Sequence, residues 1–110
     1  IRIVAPVADP DNADRRFMAA YARRYGAPPP EAVYGYESMS LMLDAIAHAT
    51  RGGRTRALRS RVLAAIFATR SRPSPLGIYS IDAHGDTTLD LYGVYRVRGG
   101  RLALGRRLSG

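Results

Sequence analysis

Residues 82–86, Asp-Ala-His-Gly-Asp, are where the sequence first offers chemistry. Two acids and a histidine at alternate positions suit a cation. A calcium loop needs more oxygen ligands and a distal bidentate glutamate, and the sequence supplies neither. The same residues have the turn chemistry expected between a strand and its extended return, so they are read as a polar turn and no metal site is assigned. His48 and His84 are the only histidines and lie far apart in the chain. Ser38, Ser40 and Ser80 lack the strand–elbow–helix context of an activated nucleophile. Gly52-Gly53 follows a helical pattern, whereas a phosphate cradle precedes one. No catalytic residue and no cofactor follow from these residues, and the chain is read as a non-enzyme.

The other chemical signal is charge. The 110 residues carry 17 basic groups, all arginine, against 9 acids, for a net charge of +8. An arginine-only, alanine-rich composition points to genome base composition more than to a task. Between Asp44 and Asp82 there is no acid, while Arg51, Arg54, Arg56, Arg59, Arg61, Arg70 and Arg72 fall in that gap. Such a block suits a phosphate-binding face, a solvated helix face, or a face meant for acid elsewhere in a larger protein. Aromatic residues are not interleaved with these arginines as base stacking requires, so nucleic acid is not the expected partner. The absence of cysteine excludes a disulfide scaffold and thiol chemistry, and fits an exported or a cytosolic protein equally. No apolar run has membrane-spanning length. The sequence starts at Ile1 with no signal-like stretch, which leaves room for an export signal or lipid anchor upstream.

These groups are positioned by a short series of elements. Residues 1–7 alternate weakly, as a strand that Pro10 and its acidic neighbours end. Asp11 or Asn12 is placed to cap a helix over about 12–25, with Phe17, Ala20, Tyr21 and Tyr25 on its apolar face. Gly26 and the prolines at 28–30 stop it. A second helix starts near Glu31 or a few residues later. Tyr36, Met39, Leu43, Ile46, Ala47 and Thr50 form its stripe, and Leu41 and Met42 add apolar surface on another side, the mark of a helix packed between layers. Gly35 in its first turns implies a late start or a close backbone approach. Thr55 is placed to cap a third helix whose buried stripe is Leu58, Val62, Ala65, Ile66 and Thr69. The prolines at 73 and 75 force an extended linker.

Three strands follow. Residues 76–81 form the first. Residues 91–97 carry apolar side chains on both faces and read as a strand buried on both sides. Gly99-Gly100 suits a two-residue hairpin turn, because a type I′ turn needs positive φ at both centres. Residues 101–104 form the last short strand, and 105–110 a frayed tail. The order is β-α-α-α-β-β-β. Parallel α/β sheets alternate strands with helices, yet here three helices run together. Their stripes exceed what one short hairpin covers. The expectation is a fragment, or a domain that pairs with another chain.

The order of residues resembles a known family. Phe17-x3-Tyr21-x3-Tyr25-Gly26, a proline-rich gap, Tyr34-Gly35-Tyr36-Glu37-Ser38-Met39 and Leu43-Asp44-Ala45-Ile46 are similar to the C-terminal portion of type I periplasmic binding proteins of the leucine/isoleucine/valine-binding branch. Glu37-Ser38 stands where that family has Asp-Ala. Arg61-Val62-Leu63-Ala64-Ala65-Ile66, the Ile81-Asp82 to Gly85-Asp86 turn (Ile81 for the usual aromatic), Val94-Tyr95-Arg96-Val97 and Gly99-Gly100 continue the match in order. It runs over about residues 3–104.

The resemblance implies an α/β fold of two lobes joined by crossovers and closing on a small solute. The chain, a single partial domain over 1–110, would be its C-terminal third. Residues 1–8 and 89–105 would supply second-lobe strands, and 11–81 first-lobe helices and a strand. Hinge residues would be Asp9, Pro10, Thr87, Thr88 and Leu89. Tyr34 and Tyr36 become candidates to lie against the ligand, with packing as the rival reading for Tyr36. Glu37 becomes a candidate partner for a ligand ammonium, against the plainer reading of a solvated first-turn acid.

The implied function is solute binding for an ABC importer outside the cytoplasm, on an amino acid or similar small polar solute, with a permease as partner. Exposed apolar stripes, at about 25 cal/mol per Å² buried, would favour a homodimer of the chain by itself. The alternatives are a ligand-sensing module of the same fold in a regulatory protein, and a basic nucleic-acid-binding domain. The strand over 91–97 is expected to pair with that over 1–7, or with a copy from another chain.

Overall fold

The computed structural model describes residues 1–7, 14–29, 31–89 and 92–108. Its elements are β1 (Arg2–Pro6), α1 (Arg15–Tyr25), α2 (Ala32–Ala49), α3 (Arg59–Phe67), β2 (Arg72–Ser74), β3 (Gly77–Tyr79), β4 (Tyr92–Arg98) and β5 (Arg101–Leu108). The order is the expected one with a short strand added: Arg72–Ser74, expected as a linker, pairs antiparallel with Gly77–Tyr79. Pro73 is tolerated there because this two-stranded ribbon is all edge.

The described residues form two bodies. One is a three-stranded antiparallel sheet of order β1-β4-β5. The other is the three helices with the β2–β3 ribbon. The radius of gyration, 16.5 Å, exceeds the roughly 13 Å of a compact chain of this length, and the outline measures 53 × 35 × 21 Å. The expected pairing of β4 with the N-terminal strand is present, from Arg2 opposite Arg96 to Pro6 opposite Tyr92. The register sets Ile3, Tyr95 and Leu104 side by side on one face and Arg2, Arg96 and Ala103 on the other.

Several local expectations are corrected. The cap of α1 is Asp14, whose carboxylate accepts from the Arg16 amide at 2.8 Å; Asp11 and Asn12 lie outside the described residues. Helix α2 starts at Ala32 and a Cβ on Gly35 would meet nothing within 4 Å, so neither a late start nor a close approach explains that glycine. Helix α3 begins after Leu58, and Thr55 does not cap it; its hydroxyl is buried without a partner. Strand β4 is not buried on both sides: Gly93 is its one buried residue and Tyr92 is half exposed. The supposed frayed tail is strand through Leu108. The cause is a bulge: Val94 pairs with Arg106 and Tyr95 with Leu104, so Gly105 is the extra residue and the ladder resumes beyond it.

The hairpin turn is as expected, with φ of 56° at Gly99 and 74° at Gly100. Gly52 and Gly53, also at positive φ, end α2, where the Thr50 hydroxyl donates to the Ile46 carbonyl at 2.8 Å and accepts from the Gly53 amide at 3.0 Å. Of the stripe expected to bury α2, Thr50 is buried, but Tyr36, Met39, Leu43 and Ile46 are exposed, with Met39 at 59% and Leu43 at 58%. Its buried residues are Val33, Glu37, Ala45 and Ala49. Ala45 and Ala49 fall on one face with α3 as the packed neighbour, since α2 and α3 are in contact.

Gly93 is fixed by close packing rather than by φ. A Cβ there would lie 2.6 Å from both the Leu104 and Val7 side chains. Gly93→Ala should therefore destabilise the sheet by about 1–3 kcal/mol, the usual cost of overpacking. Urea unfolding checks this, and an unchanged midpoint would show that Val7 and Leu104 give way freely.

Candidate functional site

Helix α2 carries the three residues singled out above, but they do not converge. Each faces a different neighbour. Tyr34 is half-buried and turns toward the sheet: its hydroxyl donates to the Val7 carbonyl at 2.9 Å. Burial, with smaller contributions from Tyr95 and Tyr92, raises its pKa above the usual 10.0. Tyr36 turns toward α1, its ring 4.8 Å from that of Phe17, and is 53% exposed. It lines an open groove of about 460 Å³ with Phe17, Tyr21, Tyr25, Met39 and Leu43. Tyr36 therefore touches α1 on one side and is open on the other.

Glu37 is neither solvated nor open to an ammonium group. It is 5% exposed. Its Oε1 accepts from Arg72 Nε at 2.6 Å and from the Tyr79 hydroxyl at 2.8 Å. Arg72 also donates to Asp44 Oδ2 at 2.7 Å and to Ser40 Oγ at 3.0 Å. A carboxylate this buried needs a paired cation, and the ribbon provides it, because Arg72 and Tyr79 are cross-strand partners of β2 and β3. Burial works against the charge on Arg72, but hydrogen bonds and attraction from Glu37 and Asp44 outweigh it, and the guanidinium is held above its ordinary value. Burial and the Glu37 carboxylate push the Tyr79 phenol up to about 12, so it stays protonated and donating through the physiological range.

Arg72, Tyr79, Ser40 and Asp44 were not read from the sequence as partners of Glu37. A signal for them exists. Glu37, Ser40 and Asp44 fall at i, i+3 and i+7, a polar line down an otherwise apolar helix, and such a line asks for one shared cation.

The turn at 82–86 is built by Asp82, whose Oδ1 accepts from the amides of His84 at 2.8 Å and Asp86 at 3.0 Å. That oxygen is engaged by backbone, as the turn reading requires. Among the described residues no group of three histidine, cysteine or acidic residues is placed to hold a metal ion. Of the candidate hinge residues, Asp9 and Pro10 lie outside the described residues. Thr87 bridges to Ile81, and Thr88 exchanges two 3.0 Å hydrogen bonds with Ser80, its amide donating to the carbonyl and its hydroxyl accepting from the amide. Leu89 packs near Gly77. The chain is thus held to the helical body through Leu89. Arg70, from the acid-free block, donates to the carbonyls of Phe67, Thr69 and Ile81.

No family model and no curated protein matches the chain. Solved structures do. The leucine-binding protein LivK of Thermotoga maritima matches with a TM-score of 0.71 and 24% identity over 96% of this chain. A solute-binding protein of an ABC transporter from R. palustris, in complex with benzoate, matches at 0.63 and 28% over 94%. One from Rhodopseudomonas palustris in complex with 3,4-dihydroxybenzoic acid matches at 0.63 and 24% over 99%. The chain spans 30%, 28% and 30% of those proteins respectively. Its fold is therefore part of the two-lobed type I periplasmic-binding-protein fold, as the residue order implied. Among the described residues no helix is long and apolar enough to cross a membrane.

The Arg72 junction has a testable energetic signature. Arg72→Met leaves Glu37 buried and unpaired and should cost about 3–5 kcal/mol. Adding Glu37→Leu removes the stranded carboxylate and should restore part of that loss, as read by urea melts. Additive losses in the double variant would mean that the two side chains are not energetically coupled.

Proposed function

We propose that this chain is the part of a solute-binding protein that contributes to both lobes and to two of the crossovers between them. The separation of the sheet from the helical body carries the reading, since one continuous chain enters and leaves a body it does not complete. In this reading residues 1–8 and 89–105 are second-lobe strands and 11–81 belong to the first lobe. Closure of the lobes on a small solute is the mechanism, without bond making or breaking in the solute. The protein then works outside the cytoplasm and hands its solute to the permease of an ABC importer.

The solute class follows from the neighbours by chemistry. Leucine, benzoate and 3,4-dihydroxybenzoate share a carboxylate on an apolar body, so a small organic carboxylate is a broader and better-supported class than an amino acid. Tyr34, at the junction of the two bodies, is the proposed solute-side residue of this chain through its ring. Glu37 is withdrawn from that role because Arg72 and Tyr79 occupy it. Tyr36 belongs to the α1 contact.

Calorimetric titration of the intact protein with amino acids and aromatic carboxylates tests the proposal. Saturable binding of at least one member is expected. Failure of every member to bind would contradict the assigned solute class.

A further inference from the structure

We infer that Tyr34 is a positioning residue: its hydroxyl latches the helical body onto the end of β1 and so sets the angle between the two bodies. The inference rests on the two-lobed reading proposed above and adds a residue that governs the motion. Three observations carry it. First, the Tyr34–Val7 hydrogen bond, at 2.9 Å, joins residues that belong to different bodies. Its acceptor is a backbone carbonyl beyond the last ladder pair of β1, Pro6 with Tyr92, so the sheet does not already use it within that ladder. Second, the acceptor is fixed. Val7 is 2% exposed and packs where Gly93 leaves room for it. Third, the donor is fixed as well. Tyr34 and Glu37 lie three residues apart on one face of α2, and Glu37 is clamped by Arg72 and Tyr79 from the ribbon. A rigid donor on one body and a rigid acceptor on the other make an orientation-dependent contact, because hydrogen bonds weaken steeply off their preferred geometry.

The latch also explains why a tyrosine serves at this place. The aromatic ring spans the gap, and burial, with smaller contributions from Tyr95 and Tyr92, raises the phenol's pKa above its ordinary value. Ser74 offers an internal control. Its hydroxyl donates to the Gly77 carbonyl at 2.7 Å, within the ribbon and not between bodies.

The test uses the intact protein without solute. Spin labels go on exposed Leu102 of β5 and exposed Leu63 of α3, through introduced cysteines, this stretch having none of its own. Double electron–electron resonance then gives the distance distribution between the bodies. Tyr34→Phe should shift the ratio of other orientations to the wild-type one by about five-fold, the effect of one lost hydrogen bond. Ser74→Ala should leave the distribution unchanged. The melting temperature of Tyr34→Phe, measured alongside, separates a latch from a fold contact: a shifted distribution at near-wild-type stability supports the latch. An unchanged distribution in Tyr34→Phe, or an equal shift in Ser74→Ala, overturns it. The measurement needs no solute, so a wild-type protein that binds nothing in calorimetry counts against the solute-binding reading alone.

Discussion

A buried carboxylate on an apolar helix governs the helical body. Glu37 is only 5% exposed, a buried carboxylate is costly without a partner, and Arg72 reaches it from the ribbon at 2.6 Å. That one requirement places the β2–β3 ribbon against α2 and fixes the helix about its own axis. It also brings Asp44 and Ser40 onto the same guanidinium. The geometry of the arginine fork, with several donors in one plane, is what allows one side chain to tie three helix positions. The rotation it fixes presents Tyr34 to the sheet and Tyr36 to α1.

The sheet is organised by a different constraint, close packing at its inner end. Gly93 admits Val7 and Leu104 where any side chain would clash, and the Gly105 bulge keeps β5 in register beyond Val94. These are contacts within the sheet. Between the two bodies the Tyr34 hydroxyl donates to the Val7 carbonyl, beside the buried Val7 side chain. Such a hydrogen bond favours one arrangement of the two bodies, because it weakens steeply off its preferred geometry, as the proposed closure on a solute would need.

Much of this was legible from residue types. The hairpin turn followed from Gly99-Gly100, the end of α2 from Gly52-Gly53, and the polar turn from Asp82, each because the backbone conformation restricts the residue. The type I periplasmic-binding-protein fold followed from motif order. What the sequence concealed was partnership. Glu37 reads as an ordinary first-turn acid until Arg72, 35 residues later, is known to face it. The stripe of Met39 and Leu43 reads as core, yet is exposed here, because periodicity reports which face is apolar and not whether anything covers it. Thr55 is a residue type that caps helices, but α3 begins only after Leu58, and the Thr55 hydroxyl is buried without a partner.

The central claim is that two separate bodies, joined at Val7, are parts of lobes that close on a solute. Small-angle scattering of the intact protein, with and without a solute that calorimetry has identified, tests it most directly. The account predicts a smaller radius of gyration in the presence of the solute. A scattering profile unchanged by a solute at saturation would contradict it.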